Sequence, residues 1–186
     1  MSKFKLLTFA VFLVLAFSMV LFAQEKKPAT MPEKKAEMAV KGEEHHHATS
    51  AYLHGAIEHA QMLHHWAMTT GDKMNLEVAR KHNDEIGHNL QEAQANLEKA
   101  QMPASEAQKT KAAAQHEALN KALAQATDDY NALKAELAKE KPDLAVVKAK
   151  SADLYQGLQS AETQHQAMKK TQGVKEPSSQ EQPKKS

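Results

Sequence analysis

The sequence predicts an all-α chain folded as an up-down antiparallel four-helix bundle, with a disordered N-terminal leader and C-terminal tail. Three observations carry that prediction. Apolar residues recur in alternating steps of three and four from Leu53 to Met168, the spacing of helices packed at coiled-coil-like angles. The interruptions are short and hold helix-stop and helix-start residues. Cysteine is absent and aromatics make up only 5%, so a packed core of thin helices, not disulfides, must hold the fold.

Residues 1–23 read as a signal peptide. Lys3 and Lys5 precede an apolar run that ends at Ala23, a small residue suited to cleavage. A retained anchor is the rival reading, since an 18-residue run just spans a bilayer. No cysteine follows the run, which excludes a lipoprotein anchor. The expected location is periplasmic or secreted, with no membrane attachment after cleavage.

Residues 24–48 are charged, carry Pro28 and Pro32, and lack sustained periodicity. They read as a flexible leader. The bundle is expected over 49–172. Its first helix, roughly 49–70, has the stripe Leu53, Ala56, Ala60, Leu63 and Ala67. The second, 73–101, has the seam Leu76, Ala79, Asn83, Ile86, Leu90, Ala93, Leu97 and Ala100. The third, 104–140, carries Ala112, His116, Leu119, Leu123, Ala126, Tyr130, Leu133 and Leu137. The fourth, 142–171, carries Leu144, Val147, Ser151, Leu154, Leu158, Ala161, His165 and Met168.

Gly71 reads as a helix-ending residue and Asp72 as the next N-cap. Pro103 and Ser105 separate helices two and three. Pro142 falls in the first turn of helix four, with Asp143 beside it. Gly55, Gly87 and Gly157 inside helices each cost about 1 kcal/mol against alanine. Residues 173–186 read as a disordered tail.

After loss of Lys3 and Lys5 the chain would carry 22 basic and 23 acidic residues. That balance offers no basic stripe for nucleic acid. Nucleophile–base pairs, glycine-rich loops and paired carboxylates are absent as motifs, and no HExxH occurs, so an enzyme is not expected. Thr127–Tyr130, "TDDY", reads as a solvated patch.

The histidines are the unusual feature. Seven of eleven lie between His45 and His65. At 100° per residue, His47, His54, Glu58, Gln61 and His65 form one narrow stripe opposite the apolar one. It is either a solvated face or a row of imidazole and carboxylate donors. His54 and Glu58 are one turn apart, and His59 with Met62 adds an i+3 pair. Imidazoles at such spacing can share a divalent ion. His64 borders the apolar stripe and is expected to be partly buried.

Two further histidines occupy seams. His116 and His165 are centred on the turn before Pro142, which places them level across helices three and four. A buried imidazole needs a hydrogen-bond partner or an ion, so the pair is either a satisfied structural contact or an inter-helix metal site. His88 sits level with His54 but points outward by its helical angle.

The stretch "IEHAQMLHHWAMTTGDKMNLEVARKHNDEIGHNLQEAQANLEKA", Ile57 to Ala100, resembles the small metal-binding protein family of bacterial periplasms, whose helical repeats space His, Ala and Glu in a similar order. Glu58-His59-Ala60, His65, the Gly71 turn, Ala79, His82, Glu85 and His88 carry the likeness. The resemblance implies a periplasmic helical bundle that buffers divalent transition metals, and it extends to His59, His65, His82 and His88 as donors. Here the turn is longer, Asn83 follows His82, and residues 104–171 hold almost no histidine repeat.

The expected function is therefore binding of Cu(II), Ni(II) or Zn(II) for buffering or tolerance. Cu(II) ranks first because it stands highest in the affinity order of imidazole sites. The alternative is a helical scaffold or chaperone module of the cell envelope that binds no metal. A homodimer of helical hairpins fits the same seams. Histidine protonation could also serve pH sensing, and stability against pH in metal-free protein would separate that from metal binding.

Overall fold

The computed structural model describes residues 31–70, 73–100 and 105–175. The chain divides into two compact units, 1–36 and 37–186. Of the first unit only residues 31–36 are described; they are helical and exposed. The expected signal segment, residues 24–30 and most of the tail lie outside the described residues.

Four helices make up the described chain: α1 (Met31–Thr69), α2 (Leu76–Lys99), α3 (Glu106–Leu137) and α4 (Leu144–Gln172). No strand occurs among the described residues. Side-chain bonds fix the order within the second unit. His59 meets His82 and His45 meets Asn96, and both pairs are centred in sequence on the Thr70–Gly71 bond, so α1 and α2 run antiparallel. Gln94 reaches Thr127, and Arg80 reaches the carbonyl of Leu137. Gln115 reaches the carbonyl of Ala167. His64 meets Ser151 while His46 meets His165, which brings α4 back beside α1, antiparallel to it. This is the expected up-down bundle.

The seams are the core. All five residues of the α1 stripe are buried, as are Ala79, Asn83, Ile86, Leu90, Ala93 and Leu97 of α2. α4 buries Val147, Ser151, Leu154, Leu158, Ala161, His165 and Met168. α3 follows its seam from Leu119 to Leu137, but His116 is exposed. The reason is the length of α2. The α2–α3 contacts pair Arg80 with Leu137 and Gln94 with Thr127, so α3 residues before about Leu119 lie beyond the end of α2 at Lys99. An open groove follows there, with Leu97, Ala112, His116, Asn120, Met168 and Gln172 in its walls.

Helix ends correct several expectations. α1 begins at Met31, so the stretch 31–48, expected as a leader, is helical. Pro32 sits in its first turn, where the missing N–H interrupts nothing. The N-cap of α2 is Asn75, whose side chain accepts from the N–H groups of Glu77 and Val78; Asp72 and Gly71 lie outside the described residues. Ser105 and Gln108 close a capping box on α3. Asp143, not Pro142, borders α4, accepting from the N–H of Ala145. Gly173 ends α4 in the left-handed conformation at φ 75°.

The "TDDY" stretch is not wholly a solvated patch. Asp128 is exposed, whereas Asp129 is buried between α3 and α4. It accepts from Gln125 at 3.0 Å and from the Lys150 ammonium at 3.1 Å. A buried carboxylate needs such partners, and they clip the two helices together.

Candidate functional site

Two histidine pairs cross helix interfaces, and they differ in exposure. On the α1–α2 face, Nδ1 of His59 lies 2.9 Å from Nδ1 of His82, with ring centroids 5.1 Å apart. Both rings are partly exposed. Trp66 presents an edge to His82 at 5.4 Å. Burial and the facing His59 push the His82 imidazole below its ordinary range, and Glu85 works against them. His82 is thus neutral at pH 7, the state a metal requires.

The 2.9 Å separation suits two roles. It is a hydrogen bond if one nitrogen carries a proton. It is also a bite, since two nitrogens about 2.0–2.1 Å from one ion stand about 2.8–3.4 Å apart at square or tetrahedral angles. No group of three His, Cys, Asp or Glu side chains is gathered as a ready ligand set among the described residues. Glu85, about one turn along α2 and within electrostatic reach of His82, is a carboxylate available as a third donor after a side-chain shift, with water filling the open side.

The second pair is buried. His46 and His165 are both 0% exposed, with Nδ1 of His46 3.1 Å from Nε2 of His165. Desolvation, then His46 and Lys169, lowers His165 to about 3. Desolvation also lowers His46 to about 4, against a favourable contribution from the Gln172 amide. Lys169 is itself buried, so a cation lies close to both rings. Both rings are fully buried and no third His, Cys, Asp or Glu joins them among the described residues, so this pair is not gathered as a ligand set.

The stripe behaves otherwise. His54 and Glu58 approach at 3.3 Å, each nearly two-thirds exposed. His65 and Gln61 are exposed and His47 is half-buried, and no described donor joins them into a cluster of three. His88 is exposed beside the edge of Tyr52 at 6.3 Å. His64 is half-buried, and its Nδ1 meets the Ser151 hydroxyl at 3.2 Å.

The expected His116–His165 pair is not formed. His116 turns outward and bonds Asn120 at 3.1 Å, while His165 takes His46 instead. The levels on α3 and α4 agree, but α2 ends at Lys99, short of this level, and among the described residues the ring faces solvent.

His46 went unnoticed in the sequence, although the seam reveals it. Stepping back from Leu53 by four, three and four reaches Thr49, His46 and Gly42, all buried. The charge and prolines of the leader mask that continuity. The midpoint rule that aligns His54 with His88 also aligns His59 with His82.

The comparisons add no relative: no family model, curated protein or solved structure matches the chain.

Proposed function

We propose that this protein binds divalent transition-metal ions at the α1–α2 face, with His59 and His82 as the paired donors and Glu85 as the adjoining carboxylate. The observation that carries the reading is the 2.9 Å separation of two partly exposed imidazole nitrogens on different helices. Copper(II), nickel(II) and zinc(II) all accept neutral imidazole, with copper(II) bound most tightly. Two protein nitrogens with water in the remaining positions give a labile site, fit for holding and releasing an ion, not for catalysis. The role is buffering or tolerance in the periplasm or outside the cell, following the signal-like residues 1–23. No described helix is long and apolar enough to cross a membrane.

His54, Glu58, His65 and His88 form an outer set of weak, separate donors. His47, His116 and His165 have no part in the site. Binding weakens as pH falls, because protons compete for the same nitrogens.

The test is a competition titration with Cu(II), Zn(II) and Ni(II) against a chelator of known affinity at pH 7.5. The expected result is micromolar or tighter binding of one ion per chain. His59→Ala and His82→Ala should each weaken it at least about tenfold, a loss of one of two nitrogen donors, while His54→Ala leaves it within about twofold. No competition by the parent protein, or equal losses in all three variants, would sink the proposal.

A further inference from the structure

The buried pair has no role in that site, and it holds a stretch of α1 that little else holds. Within the second unit, the buried residues of α1 before Leu53 are Gly42, His46 and Thr49. None brings an aliphatic side chain to the core. From Leu53 onward the helix buries Leu53, Ala56, Ile57, Ala60, Leu63 and Ala67. Apolar area therefore anchors the middle and end of α1, and polar contacts anchor its beginning.

Those contacts form a line that is satisfied with one proton on each imidazole. Lys169 has only donors, and its Nζ lies 3.5 Å from Ser50 Oγ. Ser50 Oγ lies 3.4 Å from His165 Nδ1; in one arrangement the hydroxyl donates there and Nδ1 is bare. His165 then keeps its proton on Nε2 and donates to His46 Nδ1. The His46 proton is left on Nε2, a buried nitrogen without a partner at bonding distance, as is the buried carbonyl Oε1 of Gln172. The Gln172 amide is close enough to act on His46, so a small side-chain shift would bring the two unpartnered atoms together. Each imidazole carries one proton. A second proton on His46 requires His165 to carry its own on Nδ1, and protonation of both rings sets two N–H groups face to face, which cannot bond. Because both rings are fully buried, any charge on them is desolvated.

We propose that the His46–His165 pair is an acid-released latch that docks residues 37–50 of α1 on α4. The titratable groups acting on it are His45 and His47 of α1 and Lys169 of α4; each, when charged, disfavours a proton on the pair. At this level α2 presents the uncharged Asn96, bonded to His45 at 3.0 Å, and α3 presents the uncharged Gln115. His116 of α3 faces solvent.

The sign follows from the lowered values. Above about 6.5, the ordinary histidine value, docked and released states are both neutral and the latch contributes fully. Below it the released state takes protons that the docked state refuses. Docking is then lost progressively until the pH reaches about 4 for His46 and about 3 for His165. Between pH 7 and pH 5 the equilibrium shifts toward release by about 20-fold per histidine.

Amide hydrogen exchange of the whole protein, in chelator to keep it metal-free, tests the latch. After correction for intrinsic rates, protection over residues 37–50 should fall by about 400-fold from pH 7 to pH 5, the product of two shifts of about 20-fold. Residues 56–67 should change far less. His165→Gln, which bonds but does not titrate, should cut that dependence to the share of His46 alone, about 20-fold. Equal pH response in the two stretches, or an unchanged response in His165→Gln, overturns the proposal. Should the variant not fold, nitrogen-15 shifts of the parent imidazoles decide. Both rings should be neutral and show no titration above pH 5. A midpoint near 6.5 for either ring overturns the latch.

Discussion

Gly87 and Gly157 break the helical pattern alike in the sequence, and the structure separates them. A side chain at Gly87 would begin where the Tyr130 hydroxyl and ring already lie. At Gly157 the nearest atoms belong to Ala126, 3.5 Å away, an ordinary contact. Gly87→Ala should therefore destabilise by about 1 kcal/mol or more, as overpacking outweighs the helix propensity gained. Gly157→Ala should stabilise by about 0.5–1 kcal/mol. Urea melts of the two variants give opposite signs if this account holds, and the same sign if glycine acts only through propensity. The histidines show the same limit of residue-scale reading. Periodicity puts His165 on a seam and turns His88 outward, both as found. It cannot say which imidazole meets which, because that depends on where neighbouring helices stop.

Elements are held at their ends by polar side chains more than by propensity. Arg80 of α2 donates from Nε to the Leu137 carbonyl at 2.8 Å and from its guanidinium to the Lys139 carbonyl at 3.2 Å. These carbonyls at the end of α3 have no helical partner and carry the negative end of its dipole. Arg80→Met should cost about 1–2 kcal/mol, measurable by chemical denaturation. Lys81→Met, next to it and paired only with Glu77 one turn away at 3.2 Å, should cost no more than about 0.5 kcal/mol. Equal costs would mean that Arg80 does not tie α2 to α3. The helices themselves were legible through their seams and through Ser105 and Asp143 at their starts. The beginning of α1 was not. Pro32 and the lysines and glutamates around it read as leader composition, and the three seam residues there are Gly42, His46 and Thr49, which carry no apolar signal.

At the scale of the molecule, four antiparallel helices of unequal length follow from connections too short to cross the bundle. The shortest, α2, decides much of what is exposed. Its end at Lys99 leaves the start of α3 uncovered, turns His116 to water and opens the groove beside Met168. On α1 the buried residues from Leu53 onward are apolar, while the end that holds His46 and His165 is joined to α4 by hydrogen bonds. Stability is thus unevenly distributed, and local opening should begin at the polar end. The bundle was readable because heptad steps survive intact for long stretches of three helices. The candidate site was readable only in part. Its residues came with the resemblance, but their meeting across α1 and α2 needed the register that the fold supplies.

Trp66 is the only tryptophan in the chain, and its ring stands edge-on to His82 at an interplanar angle of 84°. With excitation at the red edge of the aromatic absorption, where the three tyrosines do not contribute, the emission reports one ring in contact with one of the two proposed donors. Paramagnetic Cu(II) at His82 should quench most of the emission by one equivalent, Zn(II) should leave it largely intact, and His82→Ala should abolish the copper response. In metal-free protein the same emission should follow His82 as it gains a proton, with a midpoint below the ordinary histidine value because burial and His59 hold it down. Emission that stays constant through one bound equivalent of copper would place the ion elsewhere on the molecule.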